Sequence, residues 1–263
     1  MNLEIINAAL LLPYRAAVGD TTRQHLNAVQ LNNTPVNSFA FYNSVSSVYS
    51  SKIEGENIDF DSFFKHKFLG IKYQPDYTKK ADDLYLAYTF IQTARLTLDN
   101  FQQAHAILSA NLLPTSQQGR IRANPMFVIN SDDRIEYVAA APAQVKDELD
   151  KLFRDIDLLQ KATLDDVEAF YFAAYIHLVF VKIHPFQDGN GRAARLLEKW
   201  FLTSKLGPEA TAVQLEKNYY RNLDSYYANL RALGTEYDAL DYAQALPFLL
   251  TTVNGLSEQS QSF

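Results

Sequence analysis

Twelve consecutive residues, His184-Pro185-Phe186-Gln187-Asp188-Gly189-Asn190-Gly191-Arg192-Ala193-Ala194-Arg195, combine a histidine, an acid, a run of small turn-forming residues and two arginines. Gly189, Asn190 and Gly191 can turn the chain sharply into a helix. Unpaired backbone N–H groups and the positive end of the helix dipole then converge on one point, a seat for phosphate. Arg192 and Arg195, at i and i+3 on one face of that helix, can grip further oxygens bidentately, which suits a polyphosphate better than a monophosphate. Asp188, at the lip of the turn, offers the hard oxygen ligand that Mg²⁺ takes alongside phosphates and water. His184 is placed as a general base for an attacking hydroxyl while metal and arginines hold charge on the phosphates. The plainer readings are a backbone-bonded loop histidine, a capping aspartate and two solvated arginines.

Positioning these groups falls to a mainly α chain, because apolar residues recur at three- and four-residue spacing through most of it. The pattern predicts a helix from Thr21 or Thr22 into the low 30s, one opened by Pro35, Asn37 and Ser38 toward Ser51, and one over 59–68. Two longer helices follow over 76–98 and 100–113. The stretch 119–141 reads as a β-hairpin, with β-prone runs Phe127-Val128-Ile129 and Ile135-Glu136-Tyr137-Val138 around a solvent-facing polar tip at 130–133. Helical periodicity returns over 142–159 and from Thr163 to about Ile183, with Asp165 and Asp166 in the first turn. The loop 184–189 then leads into a helix over 190–206, and further helices are expected at 215–233 and 237–253, ahead of ten fraying residues.

The twelve-residue segment matches the Fic motif, His-Pro-Phe-x-Asp/Glu-Gly-Asn-Gly-Arg-x-x-Arg, at every specified position, and the chain thereby resembles the Fic/Doc family. The resemblance implies a Fic-type helical bundle with a flap hairpin beside the active site. It divides the chain into an N-terminal helical extension (1–97), a Fic core (98–235) and a C-terminal helix with a frayed tail (236–263). It implies transfer of AMP from ATP, with Mg²⁺, to a Ser, Thr or Tyr hydroxyl of a protein. In those terms His184 is the base, Asp188 holds the metal, the Gly189-Asn190-Gly191 turn cradles phosphates, and Arg192 and Arg195 hold the β and γ phosphates. The hairpin, through Phe127, Val128 and Ile129, would align the target by strand addition. The Doc branch, which phosphorylates, has lysine in place of the second glycine of the turn. Gly191 therefore favours adenylylation, while the motif itself leaves phosphocholine transfer open.

Upstream, Ser50-Ser51-Lys52-Ile53-Glu54-Gly55 matches the family's inhibitory pattern, Ser/Thr-x-x-x-Glu-Gly/Asn. Glu54 is expected to pair with Arg195, taking the arginine that the γ phosphate needs, so the chain resembles the class with an N-terminal inhibitory helix. An exposed helix-end glutamate is the plainer reading. Alternative functions are a hydrolase that uses Glu54 to remove AMP from a modified protein, and an inert nucleotide-binding module. Tyr226 and Asn222 lie where the family's adenine-flanking helix is expected, as base or ribose contacts, although aromatic residues at helical spacing are more often core. His177 and Trp200 read as packed core residues.

Composition narrows the partners. The chain has 263 residues, 48% hydrophobic, enough to bury a sizeable core. Its formal charge of −6 gives no basic field for nucleic acid. With no cysteine, disulfides and thiolate chemistry are excluded, which fits a cytoplasmic protein. Ala8 to Leu12 lacks a basic flank and a cleavage site, and no run approaches the ~20 residues of a membrane span. The expected partner is a protein docked at the hairpin, with automodification and a homo-oligomer compatible with the same reading.

Overall fold

The computed structural model describes residues 1–30, 38–71, 78–129 and 132–257. Among these the fold is helical apart from one antiparallel pair, β1 (Phe127–Ile129) and β2 (Ile135–Val138). At its centre lies α8 (Asp166–Ile183), buried on nearly every face. Asp165 caps it through the Glu168 N–H, and Glu168 returns a bond to the Asp165 N–H, a capping box that starts the helix later than the expected Thr163. A helix apolar all round must be surrounded. Around α8 lie α9 (Asn190–Leu206), α7 (Pro142–Lys161), α12 (Leu246–Ser257) and α1 (Leu11–Val18). The sequence pattern had not marked α1, whose Tyr14 ring meets Tyr171 edge-on at 5.2 Å.

The remaining helices shape the site. α3 (Ser38–Ile53) packs on α5 (Lys79–Phe90), α10 (Leu215–Arg221) and α4 (Phe60–Leu69), while α6 (Leu98–Leu108) joins α5 to α9. α2 (Thr22–Gln30) follows its predicted start, and the rest of its expected span, with Pro35, Asn37 and Asp76, lies outside the described residues. One apolar core runs from Ile6 to Leu256, across the boundaries expected at 97 and 235.

Five expectations need correction. The helix expected over 76–98 stops at Phe90, because Thr97 turns its hydroxyl to the Asn100 N–H and opens α6. α6 ends at Leu108 rather than 113, where Ser109 donates its N–H and hydroxyl to the His105 carbonyl. The helix expected over 215–233 breaks at Asn222, whose side-chain amide caps the Asn218 carbonyl, and α11 (Leu223–Arg231) starts afresh. The stretch 237–245 forms two short 3₁₀ turns, and the helix begins at Leu246 with Pro247 in its first turn, where a missing N–H costs nothing. Residues 254–257, expected to fray, belong to α12, and 258–263 lie outside the described residues. No helix among the described residues is long and apolar enough to cross a membrane.

Candidate active site

The loop between α8 and α9 is closed from inside. His184 ends α8 in the left-handed region (φ 55°), where a side chain costs ~1 kcal/mol or more, so neighbouring contacts must hold it. Arg122 does so. Its Nε donates to the His184 carbonyl (2.7 Å) and its terminal nitrogens to the carbonyls of Ala140 (2.6 Å), Asn124 (2.7 Å) and Ile183 (3.3 Å), while its N–H reaches the Pro185 carbonyl. A guanidinium placed there satisfies the orphan carbonyls of α8, meets the negative end of its dipole and ties the helix to the base of the hairpin. The Asn190 side chain forms a second closure, accepting from the Phe186 N–H (2.9 Å) and donating to the Phe186 carbonyl (2.8 Å).

His105 forms the floor. Its Nδ1 accepts the Gly119 N–H (3.0 Å), so Nε2 carries the hydrogen and donates to the Asp188 carbonyl (2.9 Å), and its ring stacks on Phe186 at 3.6 Å. Burial pushes its pKa down to about 4, consistent with a neutral ring. Gly189 begins α9 with φ 79°, and a Cβ there would crowd Leu108 and His105 at 3.2 and 3.3 Å. The loop is thus closed by its own contacts ahead of α9, whose first N–H groups lack intrahelical partners.

His184 turns Nδ1 to the Val181 carbonyl (3.1 Å), which leaves Nε2 as a lone pair. Burial pushes its pKa down to about 4 and the charge of Arg122 adds to that, so the ring is neutral at pH 7 and able to accept a proton. Asp188 is exposed at the lip, with Oδ1 accepting the Gly189 N–H at 2.6 Å.

Both arginines are buried, and both face carboxylates from the turn after α3. Arg195, 1% exposed, donates Nε to Ser50 Oγ (2.9 Å) and Nη2 to the Ser50 carbonyl (3.2 Å) and to Glu54 Oε1 (2.5 Å). Burial alone would raise the Glu54 carboxyl. The charges of Arg195 and Arg192 and the Arg195 hydrogen bond outweigh it and hold Glu54 below the ordinary carboxylate value. Arg192 meets Glu56 at 3.4 Å, Glu56 is held by Lys80 at 2.5 Å, and the buried Arg192 Nε has no hydrogen-bond partner. That orphan donor beside the N-terminus of α9 is a cost that an entering anion would relieve.

A cavity of about 210 Å³ opens between α11 and the hairpin, lined by His184, Gly191, Arg195, Glu54, Tyr226 and Val128 among others. Tyr226 therefore reaches the site. Asn222 does not line it, its amide being turned back onto Asn218. On the hairpin, Phe127 and Ile129 are 45% and 61% exposed, and β2 is already joined beyond its partner by the Val138 N–H to the Thr235 carbonyl (2.8 Å). Sequence reasoning missed Arg122, His105 and Glu56. The first two are separated from the motif by more than 60 residues and act on backbone atoms, for which no residue pattern exists. Among the described residues no cluster of three or more metal-binding side chains occurs.

Residues 95–202 match the Fic/DOC family profile. Protein adenylyltransferase fic-1 of Caenorhabditis elegans is 29% identical over 136 residues, 51% of this chain and 24% of that protein. Protein adenylyltransferase Fic of Nematostella vectensis is 30% identical over 142 residues, 53% of this chain and 31% of its own. The chain thus spans about a quarter to a third of the length of these curated relatives. Among solved structures, a Fic family protein from Desulfovibrio desulfuricans superposes with a TM-score of 0.77 at 18% identity, covering all of this chain and 77% of that one. A Fic domain containing signaling protein from Bacteroides thetaiotaomicron gives 0.64 at 17% identity, over 90% of this chain and 94% of its own. At such identities the structural likeness speaks for fold alone, and the sequence match shows that residues 95–202 of this chain form a Fic/DOC family domain.

Proposed function

We propose that this chain is a protein adenylyltransferase, moving the AMP portion of ATP to a Ser, Thr or Tyr hydroxyl of a protein, and that Glu54 restrains it. The observation that carries the reading is the Glu54 carboxylate, 2.5 Å from Arg195 and inside the cavity that His184 lines. A carboxylate so placed occupies the arginine that a terminal phosphate would need, and coupling of this kind is worth a few kcal/mol. The names of the curated relatives, each a protein adenylyltransferase, support the chemistry.

In this reading the N–H groups of the 189–191 turn, Arg192 and Arg195 bind the β and γ phosphates and aim the α phosphorus at the target. His184 Nε2 takes the hydroxyl proton as the target oxygen bonds to the α phosphorus. The bond to the bridging oxygen breaks, and pyrophosphate leaves. One exposed carboxylate, Asp188, fits Mg²⁺, which keeps waters and substrate phosphates as its other ligands and would neutralise phosphate charge there. The target segment lies along β1 as an added strand, which the exposed Phe127 and Ile129 beside the half-buried Val128 support.

The test compares wild type, Glu54→Gly and Glu54→Gly with His184→Ala, each given Mg²⁺ and ATP labelled at the α phosphate, alone and in a cell lysate. Label on protein in the Glu54→Gly sample, about 100-fold above wild type and abolished by His184→Ala, is expected. No label in any sample, with ATP still bound, overturns the proposal.

A further inference from the structure

Two carboxylates leave the turn after α3, and the inhibitory pattern read in the sequence, which ends at Gly55, accounts for one of them. The Ser51 carbonyl accepts the N–H groups of both Glu54 and Glu56 at 3.1 Å, and Gly55 between them stands at φ 84° with its N–H on the Lys52 carbonyl. One short turn thereby sends Glu54 to Arg195 (2.5 Å) and Glu56 toward Arg192, whose Nη2 donates to Glu56 Oε1 over 3.4 Å. The same Oε1 accepts from Lys80 Nζ at 2.5 Å. Lys80 belongs to α5, which packs on α3.

The two cations compete for that oxygen on unequal terms. The Arg192 side chain is 4% exposed and its Nε has no partner, so a long contact to Glu56 answers its charge only in part. Glu56 and Lys80 are 32% and 39% exposed, and their shorter contact lies at the wetter end of the group. An ion attracts more strongly where water is excluded, so a Glu56 released by Lys80 would close on Arg192 rather than turn outward. Arg192, Arg195 and Lys80 together face Glu54 and Glu56. A polyphosphate at the start of α9 meets their whole positive field only when both carboxylates have moved aside.

We propose that Glu56 is a second restraint, which competes with a polyphosphate for Arg192 as Glu54 competes for Arg195, and that Lys80 is the residue that draws it off. Withdrawal of Glu54 alone then opens one arginine and leaves the other guarded. As the anion arrives, Glu56 gives up its contact with Arg192 and keeps the one with Lys80, so no carboxylate is left without a cation. The inference rests on reading Arg192 as a residue that grips the outer phosphates of ATP.

The experiment is a double-mutant cycle in the Glu54→Gly protein, with Glu56→Gln, Lys80→Met and both together. Calorimetry reads the affinities for ATP, AMP and inorganic tripolyphosphate, each with Mg²⁺. Glu56→Gln is expected to tighten ATP and tripolyphosphate about three- to fivefold, the scale of a partly exposed charge contact, and to leave AMP, which lacks the outer phosphates, unchanged. Lys80→Met is expected to weaken ATP and tripolyphosphate by about the same factor, a loss that vanishes once Glu56→Gln is present. Unchanged affinities in Glu56→Gln, or a gain shared equally by AMP, overturn the restraint. A Lys80→Met loss that persists beside Glu56→Gln, or a Lys80→Met gain, overturns the exchange. If tripolyphosphate binds and ATP does not, the nucleotide reading fails by itself and the tripolyphosphate series decides the role of Glu56. If neither binds, both readings fall.

Discussion

The carboxylate of Glu54 fills the space that a side chain at Gly191 would need: a Cβ built there would stand 2.5 Å from Glu54 Oε1 and 3.3 Å from Arg195 Nη1. The second glycine of the 189–191 turn is thus the one whose missing side chain admits the Glu54 carboxylate. Gly191→Ala should therefore push the carboxylate off Arg195 and destabilise the protein by about 1 kcal/mol, a loss that disappears in the Glu54→Gly background. Urea unfolding of the four proteins in the cycle checks this, and an equal loss in both backgrounds refutes it.

Ser50 supplies two of the acceptors that face Arg195, its hydroxyl and its carbonyl. Ser50→Ala removes only the first and leaves a buried guanidinium N–H unpaired, at about 1–3 kcal/mol. Under the proposed function, α-phosphate labelling should rise several-fold above wild type and stay well below that of Glu54→Gly, since the carboxylate remains.

Arg122 binds four carbonyls from three segments. Arg122→Met should cost roughly 3 kcal/mol, and Arg122→Lys nearly as much, because an ammonium is a point charge that cannot span the same fork. The measurement is the urea midpoint, with an unchanged slope expected if only the native state is affected.

His105 and His184 both have pKa values pushed by burial from 6.5 down to about 4. A histidine depressed in the folded state supports folding above pH 6.5, where both states are neutral, and loses that support as acid protonates the unfolded chain first. Stability should therefore fall between pH 6.5 and 4, by about 2 kcal/mol from pH 7 to 5 for the fully buried His105, with His184 adding in the same direction. A flat urea midpoint over that range, or no flattening of the slope in His105→Gln, contradicts it.

The motif's geometry was legible because its residues are contiguous: a sharp turn, a helix N-terminus and side chains one turn apart follow from local geometry, and α9 begins at Asn190 as the pattern required. Glu54 and Arg195 could be matched only by resemblance, since 141 residues separate them and no local rule joins α3 to α9. Arg122 and His105 were illegible for a different reason. Each grips backbone carbonyls, which every residue carries, so neither partner leaves a trace in composition or spacing. Helix ends were misjudged where a capping side chain overrode an apolar repeat, at Thr97 and Asn222.

The ring that Asn190 closes on Phe186, with His105 stacked beneath, fixes the turn ahead of α9 through the chain's own contacts. An arriving ligand meets no disorder to quench and no backbone to rebuild. Under the proposed function, phosphate uptake would exchange one negative group for another at fixed donors, so entry should track the departure rate of the Glu54 side chain, and anything that tugs on the last turn of α3 would act as a throttle without touching the 189–191 turn itself.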